Sequence, residues 1–178
     1  MKHRVCPWWL GYFLLNPLRK MGQNPGEILA PYVRDGMTVL EPGPGMGFFT
    51  VELARLVGPS GRVVAVDVQP KMIEKLKQRL AKAGLTERVD RRVAPAESMG
   101  LGDLHSAVDL TLAFYVVHEF PDHGKFFTEV AAASKPGAMI QSEPLCLPSF
   151  GWGGTTRNFS SALDSFKSGV SQKGSPGV

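Results

Sequence analysis

Glu41, Gly43, Gly45, Gly47 and Asp67 are the residues whose types and spacing suit work on a nucleoside-like ligand. The apolar pair Val39-Leu40 runs into Glu41, and three alternating glycines follow within Gly43-Pro44-Gly45-Met46-Gly47. A second apolar run, Val63-Val64-Ala65-Val66, ends in Asp67. A carboxylate at the end of a strand can accept both hydroxyls of a ribose, and alternating glycines let the backbone turn tightly and pass close to a ligand. Other readings are a glycine turn that binds nothing and an Asp67 that only caps the next helix. The fingerprint for dinucleotides places its third glycine three residues after its second, and that position here is Phe48. The spacing therefore argues against a nicotinamide cofactor.

These residues need a frame that brings two strand ends together. Asn24-Pro25-Gly26-Glu27 has the cap, first-turn proline and capping-box carboxylate of a helix start, and the helix is expected to run to Asp35-Gly36. Strands are expected at 37–40, 62–66, 88–93, 107–114 and 138–141, with helices over 48–57, 70–83 and 121–134. The helix opened by Pro70 has Met72, Ile73, Leu76, Leu80 and Ala83 on one face, lysines opposite, and Gly84 at its end. The third strand carries too many charges for the middle of a sheet. Strands alternating with helices predict an α/β, doubly wound, mostly parallel sheet.

Acidic-x-Gly-x-Gly-x-Gly spacing at Glu41–Gly47 resembles motif I of the class I S-adenosylmethionine-dependent methyltransferases, a Rossmann-like family. Three further stretches extend the resemblance to about residues 24–143. Ala94-Pro95-Ala96-Glu97 takes the place of the family's Gly-Asp-Ala-Glu, with Pro95 where an aspartate usually meets adenine. Ala113-Phe114-Tyr115-Val116-Val117-His118-Glu119 resembles the segment after strand four in the small-molecule enzymes, and Lys135-Pro136-Gly137 the turn before strand five. The resemblance implies S-adenosyl-L-methionine as cofactor, S-adenosyl-L-homocysteine as product and no metal. It implies a cofactor-binding set of Glu41, Gly43, Pro44, Gly45, Gly47, Asp67, Val68, Ala96, Glu97 and Ala113. Glu41 would approach the cofactor's ammonium group, or else only organise the loop.

A sulfonium is already an activated electrophile, so alignment of the acceptor is the main task. A base is needed only when the acceptor must lose a proton, and His118 is the candidate, the alternative being a histidine that packs at the junction. The segment after strand four lacks the Asn/Asp-Pro-Pro-aromatic pattern of amino methyltransferases acting on DNA. Two cysteines, Cys6 and Cys146, are too few for the thiol set of arsenic methyltransferases. The expected acceptor is a small molecule. RNA or protein as acceptor, and a cofactor-binding but inactive regulatory or interaction module, are the alternatives.

With 178 residues, there is room for one domain with a core. A net charge of +4 and a pI near 9.2 permit an anionic partner without demanding nucleic acid. The cysteine usage suits reduced thiols in the cytoplasm. Residues 1–23 read as an apolar arm, 24–146 as the methyltransferase domain and 147–178 as an atypical Gly/Ser-rich tail. The arm's Trp8, Trp9, Tyr12 and Phe13 could line an acceptor pocket, pack as core or touch a membrane surface. The family's closing hairpin of strands six and seven has no counterpart in the pattern after Glu143. An incomplete C-terminal hairpin, from truncation or a frame change, is expected, with a sheet edge that a second subunit could cover.

Overall fold

The structure, a computed structural model, describes residues 24–114, 116–141 and 157–158. Its sheet has the strand order β3-β2-β1-β4-β5-β6. Strands β1 (Thr38–Pro42), β2 (Arg62–Asp67), β3 (Val89–Val93), β4 (Val108–Leu112) and β5 (Ser134–Gln141) are parallel to one another. The doubly wound parallel sheet expected from the sequence is the observed fold. Helices α1 (Pro25–Leu29), α2 (Thr50–Leu56) and α3 (Pro70–Ala83) pack on one face, in a core with Val39, Val63, Ala65 and Leu110. Helix α4 (His123–Ala133) packs on the other through Phe126 and Val130, against Leu40, Val64 and Ile140. The alternation of side chains along each strand divides β1 and β2 between these two cores.

Three boundaries depart from the expected ones for local reasons. Helix α1 ends at Leu29 rather than near Asp35, because Pro31 has no N–H to donate to Glu27 O and the chain turns over 30–32. Its start is as expected, with Asn24 Oδ1 accepting from Gly26 N at 3.1 Å. Lys135-Pro136-Gly137 is not a turn before β5 but a bulge inside it. Val108 pairs with Ser134, yet Leu110 already pairs with Met139. Gly137, at φ +80°, supplies the backbone that this bulge requires.

The third departure is a strand in the C-terminal region, where the apolar pattern predicts none. A short strand, β6 (Arg157–Asn158), pairs antiparallel with β5, setting Met139 opposite Asn158 and Ile140 opposite Arg157. Two residues held by backbone hydrogen bonds need no apolar alternation, so the pattern gave no sign of them. The arm at 1–23 and the tail outside 157–158 lie outside the described residues.

At the other edge β3 carries charge, as expected of an edge strand. Arg92 donates to both oxygens of Asp103 at 2.7 Å and to Asp90 Oδ2 at 2.7 Å, and Arg62 of β2 reaches the same Asp90 oxygen at 2.9 Å. Charged side chains there oppose pairing with another chain.

Candidate functional site

Because β1 and β2 run in parallel register, Leu40 beside Val64 and Pro42 beside Val66, their C-terminal ends arrive together. Gly43 N continues the ladder by donating to Val66 O at 2.8 Å. The chain then turns, and Gly47 N donates back to Pro44 O at 2.9 Å. Gly43, Gly45 and Gly47 adopt φ of +66°, +54° and +85°, where a side chain is strained.

The three glycines differ in what surrounds them. A Cβ on Gly43 would lie 2.6 Å from Val116 Cγ2, and one on Gly47 would lie 2.5 Å from Leu76 Cδ1. A side chain at Gly43 would press on the branched Val116, whereas one at Gly47 would displace only the tip of Leu76. Around Gly45 no atom of the described residues lies within 4 Å of that position. The middle glycine presents bare backbone to open space, which is where a ligand could press against the loop.

Two buried carboxylates flank this loop. Glu41 is 4% exposed, and its Oε2 has no hydrogen-bond partner among the described residues. Burial pushes its carboxyl up to about 8; the Thr50 hydroxyl opposes the shift and the charge of Asp67 adds to it. Asp67 is 8% exposed and accepts from Gln69 N at 2.8 Å. Burial raises it to about 6, against the pull of backbone N–H groups of Gln69, Gly45 and Val68, with Glu119 repelling it.

Glu119 is the residue that sequence reasoning left without a role. It sits in the 3-10 turn Val117–Glu119 after β4, and the same segment rests Val116 on Gly43. The available signal was its place directly beyond a strand end. Asp67 and Glu119, joined by Glu41 once it is ionised, give the site negative charge, and among the described residues no cluster gathers closely enough to hold a metal ion. Such a site suits a ligand with cationic groups and hydroxyls, and repels a pyrophosphate.

The remaining expected residues lie at strand ends around this loop. Pro44 is buried and Val68 half-buried at the turn into α3. Ala94 N donates to Asp67 O at 3.1 Å, bringing the segment after β3 beside β2; Ala96 is half-buried there and Glu97 exposed. Ala96 and Glu97 border a shallow recess closed on its other side by Phe120 and Lys125. Ala113 is buried, its N–H bound to Gln141 O at 2.8 Å. His118 belongs to the 3-10 turn, but its side chain lies outside the described residues, as does Tyr115.

The open space at Gly45 has a measurable consequence. Gly84 caps α3 at φ +68°, also with none of the described residues within 4 Å of an added Cβ. Alanine at either position should cost about 1 kcal/mol of stability. Gly45→Ala should also weaken ligand binding about tenfold or more, since one methyl group then occupies the space beside the loop. Gly84→Ala should leave binding unchanged. Urea unfolding and ligand titration of the two variants check this.

Residues 33–163 match the family described as "Methyltransferase domain". The chain is 31% identical over 105 residues to an arsenite methyltransferase of Halobacterium salinarum, an alignment covering 59% of this chain and 26% of that one. It is 30% identical over 108 residues to the ubiquinone/menaquinone biosynthesis C-methyltransferase UbiE of Pasteurella multocida, covering 61% and 40%. The alignments thus span between a quarter and two fifths of these curated relatives. Among solved structures, a SAM-dependent methyltransferase from Aquifex aeolicus superposes with a TM-score of 0.70 at 28% identity, covering 76% of this chain and 71% of that one.

Proposed function

The chain belongs to the methyltransferase domain family, and from that premise we propose that it transfers a methyl group from S-adenosylmethionine to a small-molecule acceptor. The observation that carries this reading is the convergence of a Glu41 oxygen with no partner among the described residues, a Gly45 face that none of them covers, and the strand-end carboxylate of Asp67. These residues fit the cofactor by charge and shape. Asp67 would accept the ribose hydroxyls, Glu41 would take the ammonium group, and the Gly45 backbone would lie against the ligand between them. With Pro95 in place of an acid, the backbone at Ala96 would meet the adenine edge.

When bound, S-adenosylmethionine supplies a methyl group already activated for in-line displacement. The chain's own residues need only hold that group and the acceptor in line and exclude water. His118 would remove a proton where the acceptor carries one on the attacking atom. A small-molecule acceptor is supported by the printed functions of the relatives, although their acceptors differ. The arsenite chemistry is not carried over, because this chain has two cysteines, too few for a thiol set. We place the reaction in the cytoplasm; among the described residues no helix is long and apolar enough to cross a membrane. The part of β5 not paired with β6 is the surface that a second copy would cover.

Incubation with methyl-labelled S-adenosylmethionine and cell extract, followed by fractionation, tests the proposal. Label in the small-molecule fraction is the expected result. Label confined to RNA or protein would replace the acceptor class, and cofactor binding with no transfer would make the chain a silent binder.

A further inference from the structure

The turn that carries Ala96 and Glu97 is anchored at both ends. Ala94 N donates to Asp67 O at 3.1 Å, which fixes its start to the end of β2. Ser98 N donates to Pro95 O at 3.2 Å and closes the turn. At the far end Met99 N donates to Glu129 Oε2 at 2.7 Å. That last partner is a side chain, and it comes from α4 on the opposite side of the recess. Among the described residues no other element reaches the backbone of 95–98, and Glu129 makes no ion pair.

One flank of α4 holds both segments that lead into the site. Phe126 stands three residues before Glu129 on that flank. Its ring packs on Phe120 with centroids 4.6 Å apart. Phe120 closes the 3-10 turn after β4, in the segment whose Val116 rests on Gly43. Phe126 thus fixes the segment after β4, and Glu129 fixes the segment after β3. The two segments are the walls of the recess between Ala96 and Phe120.

Beyond Met99 the chain has other holds. Met99, Leu101 and Leu104 are buried in the same core as Phe126, and Arg92 donates to Gly100 O at 3.0 Å. Loss of the Glu129 carboxylate would therefore release the turn at 95–98 while leaving the following residues packed. The bond is a strong one of its kind, since an ionised acceptor shortens and strengthens it.

We propose that Glu129 is a positioning residue for the base of the cofactor. By holding Met99 N it sets the turn where the Ala96 backbone meets the adenine edge, and it acts through that turn rather than on the ligand. The inference rests on the reading of the site as one for S-adenosylmethionine.

Titration of the full chain with S-adenosylhomocysteine tests it, together with displacement by S-ribosylhomocysteine, which keeps the ribose and amino acid but has no base. Glu129→Ala should bind S-adenosylhomocysteine about tenfold more weakly, and S-ribosylhomocysteine within about twofold of the unaltered chain. Glu129→Gln keeps an oxygen that accepts from Met99 N, and should return to within about threefold of the unaltered affinity. Melting curves verify folding. Glu129→Asp, shorter by one methylene, should show the same selective loss and is read in place of an alanine variant that does not fold. An equal loss for both ligands would make the residue structural only and overturn the inference. Unchanged affinity in Glu129→Ala, or a glutamine variant as weak as the alanine one, would also overturn it. Absence of S-adenosylhomocysteine binding by the unaltered chain would instead overturn the reading beneath it, and the inference with it.

Discussion

Asp67→Asn should lower the affinity for S-adenosylhomocysteine at least about a hundredfold while leaving the fold intact. The carboxylate has two tasks that this substitution separates. Its Oδ1 accepts the Gln69 N–H at 2.8 Å at the start of α3, and an amide oxygen can do the same. An amide whose oxygen accepts from Gln69 N has one lone pair left and a nitrogen that only donates, so it cannot also accept from both hydroxyls of a ribose. Hydrogen bonds to a charged acceptor contribute about 1.5–3 kcal/mol each, so losing this pairing exceeds the effect expected anywhere else in the site. Titration calorimetry on the two proteins measures the loss, and melting curves verify folding. Affinity within about threefold of the unaltered chain would remove Asp67 from the ligand's contacts.

The pH dependence adds a second reading of the same residue. Asp67 is raised to about 6, and hydroxyl donors favour its ionised form. Binding should strengthen as pH rises through about 6, and this step should vanish in Asp67→Asn.

Glu41→Gln should give a more stable protein that binds the cofactor less well. A carboxyl whose folded pKa is raised stabilises fully below its ordinary value and loses that contribution as pH rises through the folded value. For Glu41 the window runs from 4.5 to about 8, and for Asp67 from 3.8 to about 6. Stability of the ligand-free chain should therefore fall across both windows. Above about pH 6 the further fall belongs mainly to Glu41, at up to about 1.4 kcal/mol per pH unit.

An amide at position 41 cannot ionise, and Thr50 Oγ1 beside it can accept from the new donor. The variant should then hold its stability between about pH 6 and 8, ending on the order of 2 kcal/mol above the unaltered chain. A chain of this size should melt about 4–8 °C higher there. A bound ammonium group would hold the Glu41 carboxylate ionised, so the same substitution should cost about tenfold or more in affinity. Rising stability with falling affinity is the mark of a charge buried for function rather than for the fold. A variant that lost stability in this window would show that Glu41 organises the loop instead.

Much of the frame was legible because it is written in local chemistry. Pro70 and Gly84 bound α3, charges mark β3 as an edge, and two apolar runs ending in Glu41 and Asp67 reveal where two strands stop. The glycine spacing at Gly43, Gly45 and Gly47 predicts positive φ, and all three have it. What the spacing cannot tell is which of the three faces open space, because Val116 and Leu76 come from distant elements.

The protonation of Glu41 is equally non-local, since it arises from burial between β2 and α2 rather than from its neighbours in sequence. Glu119 approaches Asp67 only through the turn after β4. Pro31 is visible in the sequence, and its missing N–H ends α1 despite the apolar spacing beyond it. Strand β6 left no pattern at all, because its pairing with β5 is made by backbone.

Titration of the full chain with S-adenosylhomocysteine and with NADH, side by side at neutral pH, tests the central claim most directly. The three carboxylates and the loop spacing predict one-site binding of S-adenosylhomocysteine and none of NADH, whose pyrophosphate the site repels. Binding of NADH with no binding of S-adenosylhomocysteine would contradict the account.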